Sequence, residues 1–158
     1  MAKVILTPIG SDLIVDDAAR ENQTKMQALS DALRQRRAAT KLGWGESFQT
    51  RTRARGKMTA WDRVEALSDE GAAILPIHTF VNDGETFGDS PGRTSPSAGV
   101  VTAFVRVHVR WVVVIANDNT VASGSWWPRT PEKIIRAQEI ALRLKLPVIY
   151  LVDCSGLF

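Results

Sequence analysis

The chain has 158 residues, enough for about one domain, and 44% of them are hydrophobic, which suffices for a real core. Charged residues make up 23%, an ordinary share that excludes a disordered or fibrous chain. The net charge is +3, with a pI near 9.4, and the single Cys154 excludes an internal disulfide and fits a reducing, cytoplasmic compartment.

Met1–Pro8 carries one Lys and a very short apolar stretch, which falls short of a secretory signal. No apolar run approaches the roughly 20 residues needed to span a bilayer, so no membrane insertion is expected. Residues 16–40 read as an amphipathic helix with Met26, Leu29 and Leu33 on its apolar face. Asp16 and Asp17 favour its positive end and Arg36 and Arg37 its negative end. Gly43-Trp44-Gly45 breaks it.

The basic excess is local. Arg34, Arg36, Arg37, Lys41, Arg51, Arg53, Arg55 and Lys57 are interrupted by Glu46 alone. Such a run suits nucleotide phosphates, an acidic protein or nucleic acid, and its plainer reading is a solvated helix end and loop. Nucleic acid ranks last, since only Trp44 and Phe48 interleave the charges as stacking platforms.

A short helix over 59–67 follows, capped by Thr59, with Val64 and Leu67 on one face. Residues 83–99 read as a mobile Gly-, Ser- and Pro-rich loop. Val100–Val107 and Trp111–Ala116 predict an antiparallel hairpin across His108-Val109-Arg110, the second strand buried on both faces. After a loop over 117–127, Thr130 and Pro131 open a helix to Lys145 whose buried side is Ile134, Ile135, Ala137, Ile140, Ala141 and Leu144. Val148–Val152 forms the next buried strand. Two buried strands joined through a helix make a parallel crossover.

Individual residues carry weak chemical signals. Cys154 reads as a small hydrophobe before a nucleophile. Asp118 and Asp153 read as turn caps before acids or bases. His78 and His108 are too isolated for a metal site. Trp126-Trp127-Pro128 suits core packing, a subunit contact or stacking on a base. Arg129, Lys133 and Arg136 fit a solvated helix face, with phosphate contacts as the second reading.

Three segments, Arg55-Gly56-Lys57-Met58-Thr59-Ala60, Asn117–Ser125 and Pro147–Gly156, resemble the biotin-dependent acyl-CoA carboxyltransferase family. That family includes acyl-CoA carboxylase β subunits and the glutaconyl-CoA decarboxylase α subunit; Trp126-Trp127-Pro128 and Cys154-Ser155-Gly156 are similar to the latter branch. The resemblance implies an α/β, crotonase-like (ClpP/crotonase) fold of β-β-α units. It divides the chain into a helical, basic extension over 1–54 and the N-terminal part of a carboxyltransferase domain over 55–158. It implies an acyl-CoA substrate, bordered here by Ala122, Ser123 and Gly124 after one strand and by Ser155 and Gly156 after the other. Biotin would arrive on a partner, a biotin carrier protein or biotin carboxylase subunit, within a homo- or hetero-oligomer. Catalytic residues stay unknown, since the later oxyanion segment and biotin-side domain have no counterpart before Phe158. The family has glycines where this chain has Ala103, Val105 and Val109, so an altered hairpin turn and packing are expected. The alternative is a non-catalytic accessory subunit that docks through the apolar edge after Val152.

Overall fold

The computed structural model describes residues 15–89 and 92–157; the Met1–Pro8 reading lies outside them. The chain forms two compact units, 1–35 and 36–158. Helix α1 (Asp17–Lys41) supplies the described part of the first and runs on into the second. In the first unit, Met26 and Leu29 are 61% and 64% exposed and Leu33 is exposed too. The expected helix is present, but its apolar stripe is not buried. Its order comes from local polar pairs: Arg20 with Asp17, Lys25 with Glu21, and Asp31 with both Gln27 and Arg34.

The second unit continues with α2 (Glu46–Ala54), α3 (Ala60–Leu67), β1 (Leu75–Pro76), β2 (Thr86–Phe87), β3 (Arg93–Thr94), β4 (Val100–Val107), β5 (Arg110–Asn117), α4 (Thr130–Leu144) and β6 (Val148–Leu151). The main sheet runs β1-β4-β5-β6. β4 and β5 are antiparallel from Val100↔Asn117 to Val107↔Arg110, and β6 joins β5 in parallel from Val113↔Val148 to Ala116↔Leu151.

Side-chain alternation explains the unbroken apolar strands. Val101, Ala103, Val105, Val112, Val114 and Ala116 face Ala60 and Val64 of α3. Val100, Val113 and Ile115 face Ile134, Ala137 and Ala141 of α4 on the other side. Ala103 and Val105, expected to disturb the hairpin, are fully buried within the α3 layer. Some expected core residues are not in it. Trp111, Ile135, Leu144, Tyr150 and Val152 are exposed, and β6 is a half-buried edge strand, because α4 covers the sheet with a narrower stripe than its composition offers.

Three local readings change. Residues 46–54, unassigned from sequence, form α2. Thr130 lies inside α4, with left-handed Arg129 at the cap position, and its Oγ1 accepts from Trp127 N and donates to Ala98 O. The stretch 83–99 holds the β2–β3 pair and a tight turn over Pro96–Gly99, with Ser95, Ala98 and Gly99 buried. Polar groups hold that turn where apolar ones are missing: Asn82 Nδ2 donates to Ser95 Oγ at 2.8 Å and Pro128 O at 2.7 Å.

α3 begins with a reciprocal capping box. Thr59 Oγ1 accepts from Asp62 N, and Asp62 accepts from Thr59 N. Arg53 adds two hydrogen bonds of 3.0 and 2.8 Å to Asp62, and this side-chain pairing holds the carboxyl far below its ordinary range.

The β4–β5 turn places His108 and Val109 at φ 47° and 66°, a primed two-residue turn. A β-branched residue is disfavoured there, and Asp69 supplies the counterweight. Its carboxylate accepts from His108 N at 2.7 Å and Val109 N at 2.8 Å, the Val109 bond contributing most to lowering its pKa. A carboxylate with a depressed folded pKa stabilises above its unfolded value, near 3.9, and loses that contribution as pH falls through the folded value. The Asp69→Ala variant is therefore expected to melt below wild type at pH 7, with the gap closing as pH drops below about 4. Val109→Gly is expected to raise stability by about 1 kcal/mol in urea titrations.

Candidate functional site

β5 and β6 run in parallel, so their carboxyl ends emerge side by side, where ligands bind in such sheets. Arg63, from α3, reaches both. Its guanidinium donates to Leu151 O at 2.9 Å and Asn117 O at 2.6 Å, the last residues of the two strands. The loop after β5 and the turn after β6 are then laced together. Trp126 N donates to Gly156 O at 2.9 Å, and Trp126 bridges Leu157 in parallel. Ser155 Oγ lies 2.8 Å from Ser125 Oγ and donates to Ala122 O at 3.2 Å. Gly124 has φ 80°, and an added Cβ would stand 1.8 Å from Asp153 O, so only glycine permits this approach. Ala122, Ser123, Gly124, Ser155 and Gly156 thus form one neighbourhood.

The Arg55–Ala60 segment joins them. Asn119 Nδ2 donates to Met58 O at 2.9 Å and to Asp153 Oδ2 at 2.8 Å, while Lys57 Nζ sits 3.4 Å from Asp153 Oδ1. Asp118 is buried and serves as a cap: its Oδ1 accepts from Thr120 N at 3.0 Å and from Thr120 Oγ1 at 2.6 Å. Burial pushes its carboxyl up against those bonds. Cys154 is exposed and closes its own turn through Gly156.

A cleft of about 200 Å³ opens beside these strand ends. Asn119, Thr120, Ala122 and Ser123 form one wall, and Trp44, Phe48, Arg51, Thr52 and Arg55 the other. The second wall is largely α2, which the sequence reading missed. Its signals were present: Glu46 at the first turn, Arg51 and Arg53 at the last, and Gly56 beyond the end. The rings are ordered among themselves, Trp44 meeting Phe48 edge-on at 5.3 Å and Trp127 at 6.2 Å. Trp127 is 2% exposed, so it belongs to the core.

The basic run divides by role. Arg36 pairs with Asp83, Lys41 with Glu65, Arg53 with Asp62 and Lys57 with Asp153, whereas Arg51 and Arg55 line the cleft. On α4, Arg129 pairs with Glu85 and Arg136 with Glu139, both on the surface. Lys133 is buried, against the expectation of a solvated face. Among the described residues, no three His, Cys, Asp or Glu side chains cluster so as to hold a metal. No helix among them is long and apolar enough to cross a membrane.

This arrangement of α/β layers is that of the crotonase-like carboxyltransferases. Residues 51–158 match the carboxyl transferase domain, and the chain belongs to that family. It is 42% identical over 121 residues to the biotin-dependent 3-methylcrotonyl-coenzyme A carboxylase beta1 subunit of Mycobacterium tuberculosis, covering 77% of this chain and 22% of that protein. It is 30% identical over 150 residues to the glutaconyl-CoA decarboxylase subunit alpha of Acidaminococcus fermentans, covering 94% and 23%. Among solved structures, the transcarboxylase 12S hexamer with methylmalonyl-coenzyme A and methylmalonic acid bound superposes with a TM-score of 0.76 at 26% identity. That match covers 84% of this chain and 26% of the other. The chain therefore spans about a quarter of the length of these relatives.

The close approach at Gly124 makes a direct prediction. Gly124→Ala is expected to cost roughly 2–4 kcal/mol in urea unfolding, since both the backbone strain and the overlap with Asp153 must be relieved.

Proposed function

We propose that this chain forms the acyl-CoA-binding part of a biotin-dependent carboxyltransferase. The observation that carries the reading is the convergence of Ala122–Gly124 and Ser155–Gly156 at paired parallel strand ends, beside a cleft with two arginines and two aromatic rings. In this reading Arg51 and Arg55 take CoA phosphates, Trp44 and Phe48 face the adenine, and the Ser155–Gly156 turn borders the thioester. Arginine suits phosphate because its planar fork offers paired donors. Carboxyl transfer itself is assigned to the complete assembly. Biotin enters on a carrier or biotin carboxylase partner, and no residue of this chain is assigned to it. An oligomer in the cytosol is the proposed setting, and the exposed Cys154 suits a reducing compartment.

A second reading is favoured by the open edge of the sheet. Among the described residues β6 pairs with β5 alone, and Tyr150 on it and Val152 just past it are exposed. Parallel strands are ordinarily covered on both sides. In this reading the chain is an accessory piece whose β6 edge receives further carboxyltransferase polypeptide.

Calorimetric titration with CoA and with CoA lacking its 3′-phosphate separates the two. Saturable binding to CoA, weakened roughly tenfold by Arg51→Ala or Arg55→Ala, supports the first reading, that factor corresponding to about 1.4 kcal/mol. Absence of saturable heat with any CoA ester refutes it. The second reading expects Val152→Lys to abolish co-purification with a longer carboxyltransferase chain, and it fails if that chain binds the variant equally well.

A further inference from the structure

Lys133, on the first turn of α4, is 3% exposed. Its Nζ donates to Ser97 O at 2.8 Å, Val100 O at 2.7 Å and Ser97 Oγ. Three N–H groups meet three oxygens, none of them a carboxylate, so the ammonium is fully hydrogen-bonded without an ion-pair partner in contact. The groups whose fields meet its own come from two further elements. Asp118, at the end of β5, acts on it electrostatically, and Lys133 acts in turn on His78, in the segment after β1. Arg136, one turn along α4, also acts on His78, and Arg63 on Asp118. Burial outweighs the attraction of Asp118 and brings the Lys133 ammonium down to about 7. Burial, with the two cations, also holds the His78 imidazole below its ordinary value.

The oxygens it grips belong to an uncommon piece of backbone. Ser97, Ala98 and Gly99 are successively left-handed, at φ 56°, 52° and 62°. Such a run is disfavoured for Ser and Ala and persists only where surroundings impose it. α4 imposes it twice, through Lys133 and through Thr130 Oγ1, which donates to Ala98 O at 2.6 Å. On its other side the turn anchors the cleft loop, because Gly99 O accepts from Asp118 N at 2.9 Å. Asp118 then fixes Thr120, which stands in the cleft wall with Ala122 and Ser123.

We infer that Lys133 is a positioning residue for the cleft: its ammonium clamps the left-handed turn at 97–99 and, through Gly99 and Asp118, sets the loop that forms one wall. The clamp depends on charge. A neutral amine keeps two N–H donors for the Ser97 and Val100 carbonyls, and its bond to Ser97 Oγ must reverse, the hydroxyl donating to the nitrogen lone pair; loss of the charge weakens all three contacts and shifts turn and loop together. The geometry of the wall follows from this chain alone; only its consequence for ligand rests on the CoA reading.

The test uses amide NMR spectra of the full chain from pH 5.5 to 9. The amides of Ser97–Val100 and of Asp118–Ser123 are expected to move together with one midpoint near 7, above the separate step of His78. In Lys133→Met that shared step disappears. Ser97→Ala, a milder change that removes only the hydroxyl acceptor, lowers the midpoint, because the charged form loses a partner; it decides the matter if Lys133→Met does not fold. A loop that stays fixed through neutral pH in wild type, or that keeps its step in Lys133→Met, overturns the inference. So does a midpoint unchanged in Ser97→Ala. CoA titrations at pH 6 and 8.5 extend the test: wild-type affinity is expected to differ at least threefold, and equal affinity at the two pH values counts against the clamp. Lack of CoA binding at both refutes the functional reading of the cleft, and the ligand-free amide titration still decides the role of Lys133.

Discussion

The bridge made by Arg63 is the constraint on which the rest of the second unit depends. Two parallel strands end with carbonyls that the ladder no longer satisfies, at Asn117 and Leu151, and one guanidinium from α3 accepts the task of capping both. Charge-assisted hydrogen bonds of this kind are about twice as strong as neutral ones, and the fork geometry allows one side chain to span two strands. Because Arg63 sits on α3, the bridge also sets where the helix begins. The segment before it, Arg55 to Thr59, is thereby brought against the strand ends, where Asn119 reads Met58 O and Lys57 approaches Asp153. Without that link, the basic segment and the two glycine-containing turns would have no reason to share a cleft.

The packing that supports this bridge is economical in size. α3 presents Ala60 and Val64, and α4 presents Ala137 and Ala141, all fully buried. Small side chains let both helices approach the sheet closely while β-branched valines fill the layers between them. Ala103 and Val105, which stand where the family has glycines, face α3 and fill that layer. The turn between β4 and β5 bears the remaining strain, and Asp69 answers it with two hydrogen bonds to the backbone.

A second set of contacts is polar and buried. Thr130 and Lys133 hold the backbone of 97–100 with hydrogen bonds in place of apolar contacts, and Asn82 holds the Ser95 side chain beside it. Buried polar groups are tolerated when each finds its partner, and a satisfied network specifies one geometry more sharply than greasy contacts do. Here that geometry is handed to the cleft loop through Gly99 and Asp118. The Gly-, Ser- and Pro-rich composition of 83–99, which suggests mobility, serves a tight turn whose small residues let α4 and the loop close over it.

What the sequence determined by itself is the local and the periodic. Apolar runs at 100–107 and 111–116 defined the hairpin, Thr59 defined the start of α3, and the Arg55–Ala60, Asn117–Ser125 and Pro147–Gly156 segments identified the family. These signals lie within a few residues of one another, so spacing suffices to read them. Tertiary structure alone decided the rest. Met26, Leu29 and Leu33 have the spacing of a buried face yet stand exposed, because periodicity shows that a stripe exists and not whether anything covers it. Lys133 has the identity of a surface residue yet is buried, because three oxygens distant in sequence converge on it. Arg63 gave no signal at all, since its partners lie 54 and 88 residues away. Burial and long-range hydrogen bonding are properties of the assembled layers, and no window of sequence contains them.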